Sequence, residues 1–297
     1  MALPVVKNAT FTVKLNELKK PLKIRPMLMS EHKTIQQVTD IGSENDIAIT
    51  ISEIVASCTD NVITSTSVPQ FVSDFVFLQI YMSSVEGVVK SRYTCYHKLT
   101  NEDKTVKIDE ETGDAILCNN SIEVNIPLDQ AVILYDEKYT NNKVITINDS
   151  VKLHLKSLSL ADNIDINDHR HEIIDVLRQI EATSALDNID DVPTEEQINT
   201  VKELKDKMIK LRSDIKDLYF YYSVDHVESG DDILKPGVDF DNKEFIEWVA
   251  NCSSKAFNNL ELFYANTPAV GLDFKITCPN CGNTSETSLR GLRDFFS

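Results

Sequence analysis

Apolar and polar residues alternate through ATFTVKLNELKKPLKIRP, residues 9–26, on either side of a Lys-Lys-Pro turn. A period of two is typical of a strand with one buried face, so the pattern predicts a two-stranded ribbon. Pro21 and Pro26 place this ribbon at the edge of a sheet, because proline cannot donate to a central ladder. Two short amphipathic helices are predicted to follow, one beginning near Ser30 and the other near Ser43.

The next apolar block, FVSDFVFLQIYMSSVEG at 71–87, mixes helical and strand periods, and we interpret it as a helix with a buried face. From residue 88 to about 155 the chain carries β-branched runs, such as SIEVNIP at 121–127 and KVITIND at 143–149. Asn, Asp and Gly separate these runs, which predicts a small antiparallel β region. Within it, TNEDKTVKIDEETGD at 100–114 is acidic and rich in turn residues, and predicts an exposed hairpin extension.

Residues 156–228 have helical periodicity, and the best-defined helix is predicted over 194–222. The side chains of Thr194 and Gln197 can each cap the backbone amide of the other. Apolar residues then recur every three or four positions and form one stripe. The stripe consists of Ile198, Val201, Leu204, Met208, Leu211, Ile215 and Leu218. This pattern fits packing on the chain's own core and also fits an intermolecular coiled coil.

A shorter helix around 171–182 precedes this one, and a helix pair at 242–253 and 255–266 leads to the C-terminus. We therefore expect an α+β fold in four segments. These are an N-terminal ribbon with helices (1–87), an antiparallel β region with an acidic hairpin insertion (88–155), a helical region (156–238), and a helix pair with a zinc-ribbon-like knuckle that packs back on the central sheet (239–297).

Length and charge limit the classes of partner. The 297 residues, 42% of them hydrophobic, can bury a substantial core, and the net charge is −17. This charge argues against binding nucleic acid or an anionic membrane, since both interactions rely on Lys and Arg. No segment approaches the about 20 apolar residues of a membrane span, and no secretory signal is evident, so we expect a cytoplasmic protein that binds proteins. Residues 1–35 carry seven Lys or Arg against two Glu, which fits oriented contacts in a hetero-oligomer as well as solvated lysines on an edge ribbon.

The candidate chemistry lies in the six cysteines. Without an export signal, reduced or metal-bound thiols are expected rather than disulfides. The CPNCG run at 278–282 has the CPxCG spacing of a zinc knuckle, a turn that points backbone amides at the sulfurs of Cys278 and Cys281. The flanking runs FKIT and TSETSLR are predicted to be strands. Because a closed zinc site has four ligands, a second pair of ligands must come from elsewhere in the chain.

Cys95 and Cys118 are the candidates for the second pair, because both lie on predicted strands that the acidic hairpin joins. Cys58 and Cys252 fall on predicted helices, and His97 is a substitute ligand. Four thiolates would make a structural zinc site, since hydrolytic zinc keeps an open position for water. The alternative is a knuckle without metal, in which the upstream cysteines are ordinary buried residues.

Motifs for other chemistry are absent from the sequence. It contains no phosphate-binding GxxxxGK[ST], no GxGxxG, no HExxH and no GxSxG. His169 and His171 lie beside acidic residues, but residues two positions apart diverge on a helix, so a solvated helix start is the better interpretation. The sequence therefore predicts no enzyme activity and no small-molecule substrate.

Several blocks, in their order along the chain, resemble the baseplate hub and hub-assembly proteins of T-even-like contractile-tailed bacteriophages. The family has a basic strand, Arg-Pro-Phe and an acidic helix, and this chain has Met27 in the aromatic position. Where the family has Ser-Val-Gly-Glu, this chain has Ser-Val-Glu-Gly at 84–87, with the last two residues exchanged. The blocks are PLKIRPMLMSEHK at 21–33, ISEIVASCT at 51–59, VPQFVSDFVFLQIYMSSVEG at 68–87, VKLHLKSLSL at 151–160, and residues 242–296 with CPxCG and the closing GLRDFF.

The resemblance implies a non-enzymatic protein that builds, or remains in, the central hub of the baseplate, with other hub or tail proteins as partners. A structural subunit would be found in the virion, and an assembly chaperone would stay in the host cytoplasm. A rival from another class is a zinc-ribbon regulatory adaptor that binds a cellular or viral protein. The contact candidates for a partner are Leu211, Ile215, Leu218, Phe295 and Phe296.

Overall fold

The computed structural model of the chain describes residues 9–85, 88–101, 103–184 and 193–296. The helices in these residues are α1 (Met29–Ile41), α2 (Glu44–Cys58), α3 (Gln70–Ser84), α4 (Glu137–Asn141), α5 (Leu160–Ser184), α6 (Glu195–Tyr222), α7 (Asn242–Val249), α8 (Ser254–Ala265) and α9 (Gly291–Phe296). The strands are β1 (Phe11–Val13), β2 (Leu22–Ile24), β3 (Val88–Thr94), β4 (Ser121–Pro127), β5 (Val132–Leu134), β6 (Val144–Asn148), β7 (Val151–Leu155), β8 (Val224–Ser229), β9 (Asp232–Leu234), β10 (Ala269–Thr277) and β11 (Thr284–Arg290).

The predicted α+β class with small antiparallel sheets is confirmed. The sheet orders are β1-β2, β3-β4, β11-β10-β5 and β6-β7-β8-β9, and every paired strand is antiparallel to its neighbour. The strands of the predicted β region thus belong to three different sheets. In two of these sheets they pair with strands from later in the chain, β10 and β8. The four segment boundaries expected from the sequence stay a prediction.

The N-terminal ribbon forms as predicted, with β1 paired to β2 from Phe11 opposite Ile24. Leu22 and Ile24 are buried, whereas the intervening Lys23 is exposed, as a period of two requires. The buried face packs on α2 and α3.

An ion pair connects this ribbon to the first two helices. Arg25 donates to both carboxylate oxygens of Glu31, at 2.9 and 2.7 Å. The hydroxyl of Ser57 accepts from Arg25 at 2.6 Å and donates to Glu31 at 2.9 Å. Arg25 follows β2, Glu31 lies on α1 and Ser57 lies on α2, so this network joins three elements.

Helix α3 is buried on two sides. Val76, Phe77 and Ile80 pack with the N-terminal ribbon and α2. Leu78 packs instead with β10 and α9, against residues that include Phe295. Two-sided burial places apolar residues at nearly every position, which explains why the sequence of this helix shows no clear period.

The third part of the core lies between the sheet β6-β7-β8-β9 and the helices α7 and α8. The hairpin of β8 and β9 was not expected, since residues to 228 were predicted to be helical. Val224 and Val227 of β8 are buried, and β8 pairs along the whole of β7. The partner strand lies about 70 residues upstream, so the local pattern carries no signal for this pairing.

Helix α5 begins at Leu160, well before the predicted start at 171. Ser159 explains the early start, because its backbone amide donates to the carboxylate of Asp162 at 2.8 Å and its hydroxyl accepts from the Asp162 amide at 3.3 Å. Helix α6 begins with the predicted reciprocal cap of Thr194 and Gln197. It packs on α5, and Ile215 and Leu218 of the α6 stripe lie in the chain's own core. Ile198, at the other end of the stripe, is exposed.

We expect Glu31→Gln to lower the free energy of unfolding by about 1–3 kcal/mol near neutral pH, because it removes a charge-assisted pair. Burial acts to raise the pKa of Glu31, but hydrogen bonds from Arg25, the Leu28 amide and Ser57 outweigh it and lower this pKa to about 2. The folded-state pKa lies below the unfolded value of 4.5, so the stabilisation is present above pH 4.5 and is lost as the pH falls toward 2.

Urea denaturation at pH 7 and pH 3, followed by circular dichroism, measures this difference. The difference in the free energy of unfolding between the parent and Glu31→Gln should be smaller at pH 3 than at pH 7. Glu53→Gln, at an exposed position of α2, is the matched control and should change little. A loss of stability in Glu31→Gln that is the same at both pH values would contradict the stabilising role of the Arg25–Glu31 ion pair. An equal loss in Glu53→Gln would contradict it as well.

Candidate metal centre

Four of the six cysteines meet at the ends of two ribbons. Cys95 follows β3 and Cys118 shortly precedes β4, whereas Cys278 follows β10 and Cys281 shortly precedes β11. The four sulfur atoms all lie within 4.8 Å of one another. The Sγ atoms of Cys95 and Cys281 are 3.7 Å apart, and those of Cys118 and Cys278 are 3.8 Å apart. Each close pair joins one cysteine from each ribbon.

The two ribbons meet because they share a hydrophobic anchor at their other ends. Val89 of β3 and Leu272 of β10 pack in the same cluster, which also holds Leu78 of α3. From Val89 to Cys95, and from Leu272 to Cys278, the chain advances by the same six residues. At the usual rise of a strand this is about 20 Å in both ribbons, so the sulfurs reach the same level.

Backbone hydrogen bonds hold both cysteine pairs, of which the C-terminal pair lies on a tight turn. In the C-terminal turn the Gly282 amide donates to the Cys278 carbonyl at 2.9 Å, and the Cys278 amide donates to the Asn283 carbonyl at 2.8 Å. Gly282 has a φ of 71°, a conformation that favours glycine. Upstream, the amide of Cys118 donates to the carbonyl of His97 at 2.9 Å. His97, the predicted substitute ligand, therefore supports the pair through its backbone.

The surroundings of the four cysteines favour the thiolate form of Cys278 and disfavour that of Cys281. The backbone amide of Cys281 has the largest effect on the pKa of Cys278, and with the amide of Asn280 it outweighs burial and lowers this pKa to about 6. The amide of Asn283 acts to lower the pKa of Cys281, but burial and the three neighbouring cysteines outweigh it and raise this pKa to about 12. A thiolate on one cysteine thus disfavours a second thiolate on its neighbours, and a cation at the centre would relieve this repulsion.

The separations between the sulfurs suit four bonds to one ion. A zinc–sulfur bond of about 2.3 Å places tetrahedral ligands about 3.8 Å apart. The two close pairs lie at 3.7 and 3.8 Å, and the remaining pairs stay within 4.8 Å. The cluster is therefore compatible with a metal site built from four thiolates.

Two asparagines also face the sulfurs, and the sequence analysis did not identify them. The side-chain amide of Asn120 lies 3.7 Å from the Cys278 sulfur, and that of Asn280 lies 3.3 Å from the Cys118 sulfur. Their only signal in the sequence is that each lies within two residues of a cysteine, in CNNS and CPNCG.

The predicted contact residues are engaged within the chain. Leu211, Ile215 and Phe295 are buried, and Leu218 is half-buried. Phe296 is 37% exposed and packs its ring near those of Phe77 and Tyr81. Their role toward a partner stays a prediction.

His169 and His171 lie within α5, beyond its first two turns, and not at a helix start. The ring of His169 contacts the Asp165 carbonyl at 3.0 Å. Neither histidine belongs to the four-cysteine cluster. Among the described helices none is long and apolar enough to cross a membrane.

The fold and the site define a mixed α/β protein in which four cysteines from two antiparallel ribbons cluster together. The family model described as T4 bacteriophage base plate protein matches residues 7–212 and 188–297. The chain therefore belongs to this family of phage baseplate proteins, which confirms the family resemblance of its sequence blocks. No curated protein and no solved structure matches the chain.

We expect Gly282→Ala to lower the free energy of unfolding by about 1–2 kcal/mol, because an L side chain is strained at this positive φ. No atom lies within 4 Å of the added Cβ, so the loss comes from backbone conformation and not from a clash. Thermal denaturation measures the effect. Gly282→Asn is the matched control and should lose less, since asparagine tolerates this conformation. Equal losses in the two variants would contradict this account of the turn.

Proposed function

We propose that this baseplate protein builds, or forms part of, the central hub of the baseplate as a non-enzymatic component, and that Cys95, Cys118, Cys278 and Cys281 hold one structural zinc ion. The observation that carries the metal proposal is the convergence of four thiols from segments 160 residues apart. Tetrahedral thiolate sites suit zinc or iron–sulfur centres, and sulfurs this close together leave room for one ion and not for a multi-iron cluster.

A closed set of four ligands supports a structural role. Zinc would supply positive charge that compensates the thiolates, and the cysteines would fix the two ribbons relative to each other. With all four positions taken by sulfur, no open position is left for a reacting water. This supports the non-enzymatic assignment.

The exposed apolar side chains support contacts with other proteins. Tyr96, next to Cys95, and Ile108, in the acidic hairpin extension, are exposed, and α6 exposes Ile198 and Ile209. Such residues lose unfavourable contact with water when a partner covers them. They are more accessible than the buried Leu211, so we assign the first contact to them. The partners we propose are other hub or tail proteins in a hetero-oligomer, met in the host cytoplasm during assembly.

We expect the purified protein to contain about one zinc per chain, and serine at Cys95, Cys118, Cys278 or Cys281 to abolish stoichiometric binding, because each change removes one ligand. Elemental analysis after exhaustive dialysis measures this. Cys252→Ser is the matched control, since Cys252 packs against the β6-β7-β8-β9 core and should leave the zinc content unchanged. A parent without metal, or zinc that is retained in the Cys95 and Cys118 variants, would contradict the proposed site.

Co-purification from infected cells and mass spectrometry of purified virions test the proposed role of the protein in the tail. We expect tail proteins to co-purify with it from infected cells, and mass spectrometry of purified virions then separates the two roles. A hub subunit will be present in finished particles at a fixed ratio to other baseplate proteins, whereas an assembly chaperone will be absent from them. Failure to co-purify with any tail protein, together with absence from virions, would refute both roles.

A further inference from the structure

We propose that Asn120 and Asn280 are positioning residues of the metal centre, which donate their side-chain amides across the site to the sulfurs of Cys278 and Cys118. The inference rests on the proposed function of the four thiols as metal ligands. Each asparagine belongs to one ribbon and contacts a cysteine of the other, so the two hydrogen bonds cross between the ribbons.

The backbone holds both asparagines in place. The carbonyl of Asn120 accepts from the Cys95 amide at 2.9 Å, which fixes this residue at the start of β4. Asn280 lies between the two cysteines of the C-terminal turn, which the Gly282 amide closes by donating to the Cys278 carbonyl at 2.9 Å. From these positions the side chains of Asn120 and Asn280 reach 3.7 and 3.3 Å, respectively, to a sulfur of the other ribbon.

The charge of the site explains why such donors are useful. Four thiolates around a divalent ion leave a net charge of about −2, which neutral N–H donors stabilise by hydrogen bonding without competing for the metal. A side-chain amide also adds no charge that would have to be desolvated. Because each donor comes from the opposite ribbon, the two hydrogen bonds also hold the cysteine pairs at their mutual distance.

A third asparagine of the C-terminal turn shows that these contacts depend on position. The side-chain amide of Asn283 donates to the Ser285 hydroxyl at 3.2 Å and not to a sulfur. Asn283→Ala is therefore a matched control, which removes an amide from the same turn and leaves the sulfur contacts intact.

The test uses the full-length protein loaded with Zn²⁺, or with Co²⁺ as a spectroscopic probe. The variants are Asn120→Ala, Asn280→Ala, Asn280→Asp and the control Asn283→Ala. Competition with a chelator gives the Zn²⁺ affinity, and the absorption bands of bound Co²⁺ report the electronic state of the sulfurs. Asn280 is exposed, so its variants should fold even if those of Asn120 do not.

We expect each alanine variant at Asn120 or Asn280 to weaken Zn²⁺ binding about 10-fold, the lower end of the range for residues that support metal ligands. The sulfur-to-cobalt band should shift to longer wavelength, because a thiolate without its hydrogen bond gives up an electron more easily. Asn280→Asp should lose more than Asn280→Ala, since it adds a negative charge beside the thiolates. The control should keep the affinity and the spectrum of the parent.

Two results would overturn the inference, and they differ. If the parent binds Zn²⁺ but the Asn280 variants match it in affinity and spectrum, the positioning role is refuted while the metal site stands. If the parent binds neither Zn²⁺ nor Co²⁺, the metal centre and its positioning residues are refuted together.

Discussion

The convergence of two ribbons on four sulfur atoms is the constraint on which the architecture around the C-terminus depends. Sulfurs within 4.8 Å of one another resist a second negative charge, as the raised pKa of Cys281 shows, and a shared cation would convert that repulsion into attraction. The constraint also sets strand length, because the anchor residues Val89 and Leu272 must lie equally far from Cys95 and Cys278. A one-residue change in either strand would move one sulfur pair and turn it to the other face.

The sequence blocks that link this chain to phage baseplate proteins mostly serve folding. Arg25 and Glu31 join the first ribbon to two helices, and Met27 fills the core beside them. The closing residues place Phe295 in the cluster that anchors both ribbons. A protein whose recognisable motifs are ion pairs, core residues and a cysteine cluster is suited to a scaffold, where the position of surfaces matters more than chemistry.

Local signals predicted those elements whose cause is local. The ribbon at 9–26, the Thr194–Gln197 cap and the helix pair near the C-terminus follow from periodicity and capping, and all of them are present. The start of α5 was placed too late, near 171, although Ser159 and Asp162 provide a local cap. The hairpin of β8 and β9 was missed for another reason, since β8 obtains its pairing from the distant strand β7.

The sequence by itself determined the C-terminal cysteine pair and the strands next to it, because a CPxCG turn and alternating residues depend on near neighbours only. It also indicated Cys95 and Cys118 as candidates for the second pair, with His97 as a substitute, by placing the other thiols on helices. The tertiary structure alone decided that these pairs meet. Val89 and Leu272 pack in one cluster, each six residues from a cysteine, and this packing cannot be read from either strand alone. It likewise decided the crossed contacts of Asn120 and Asn280, because a side-chain donor and a sulfur 158 or 162 residues apart have no shared pattern in the chain.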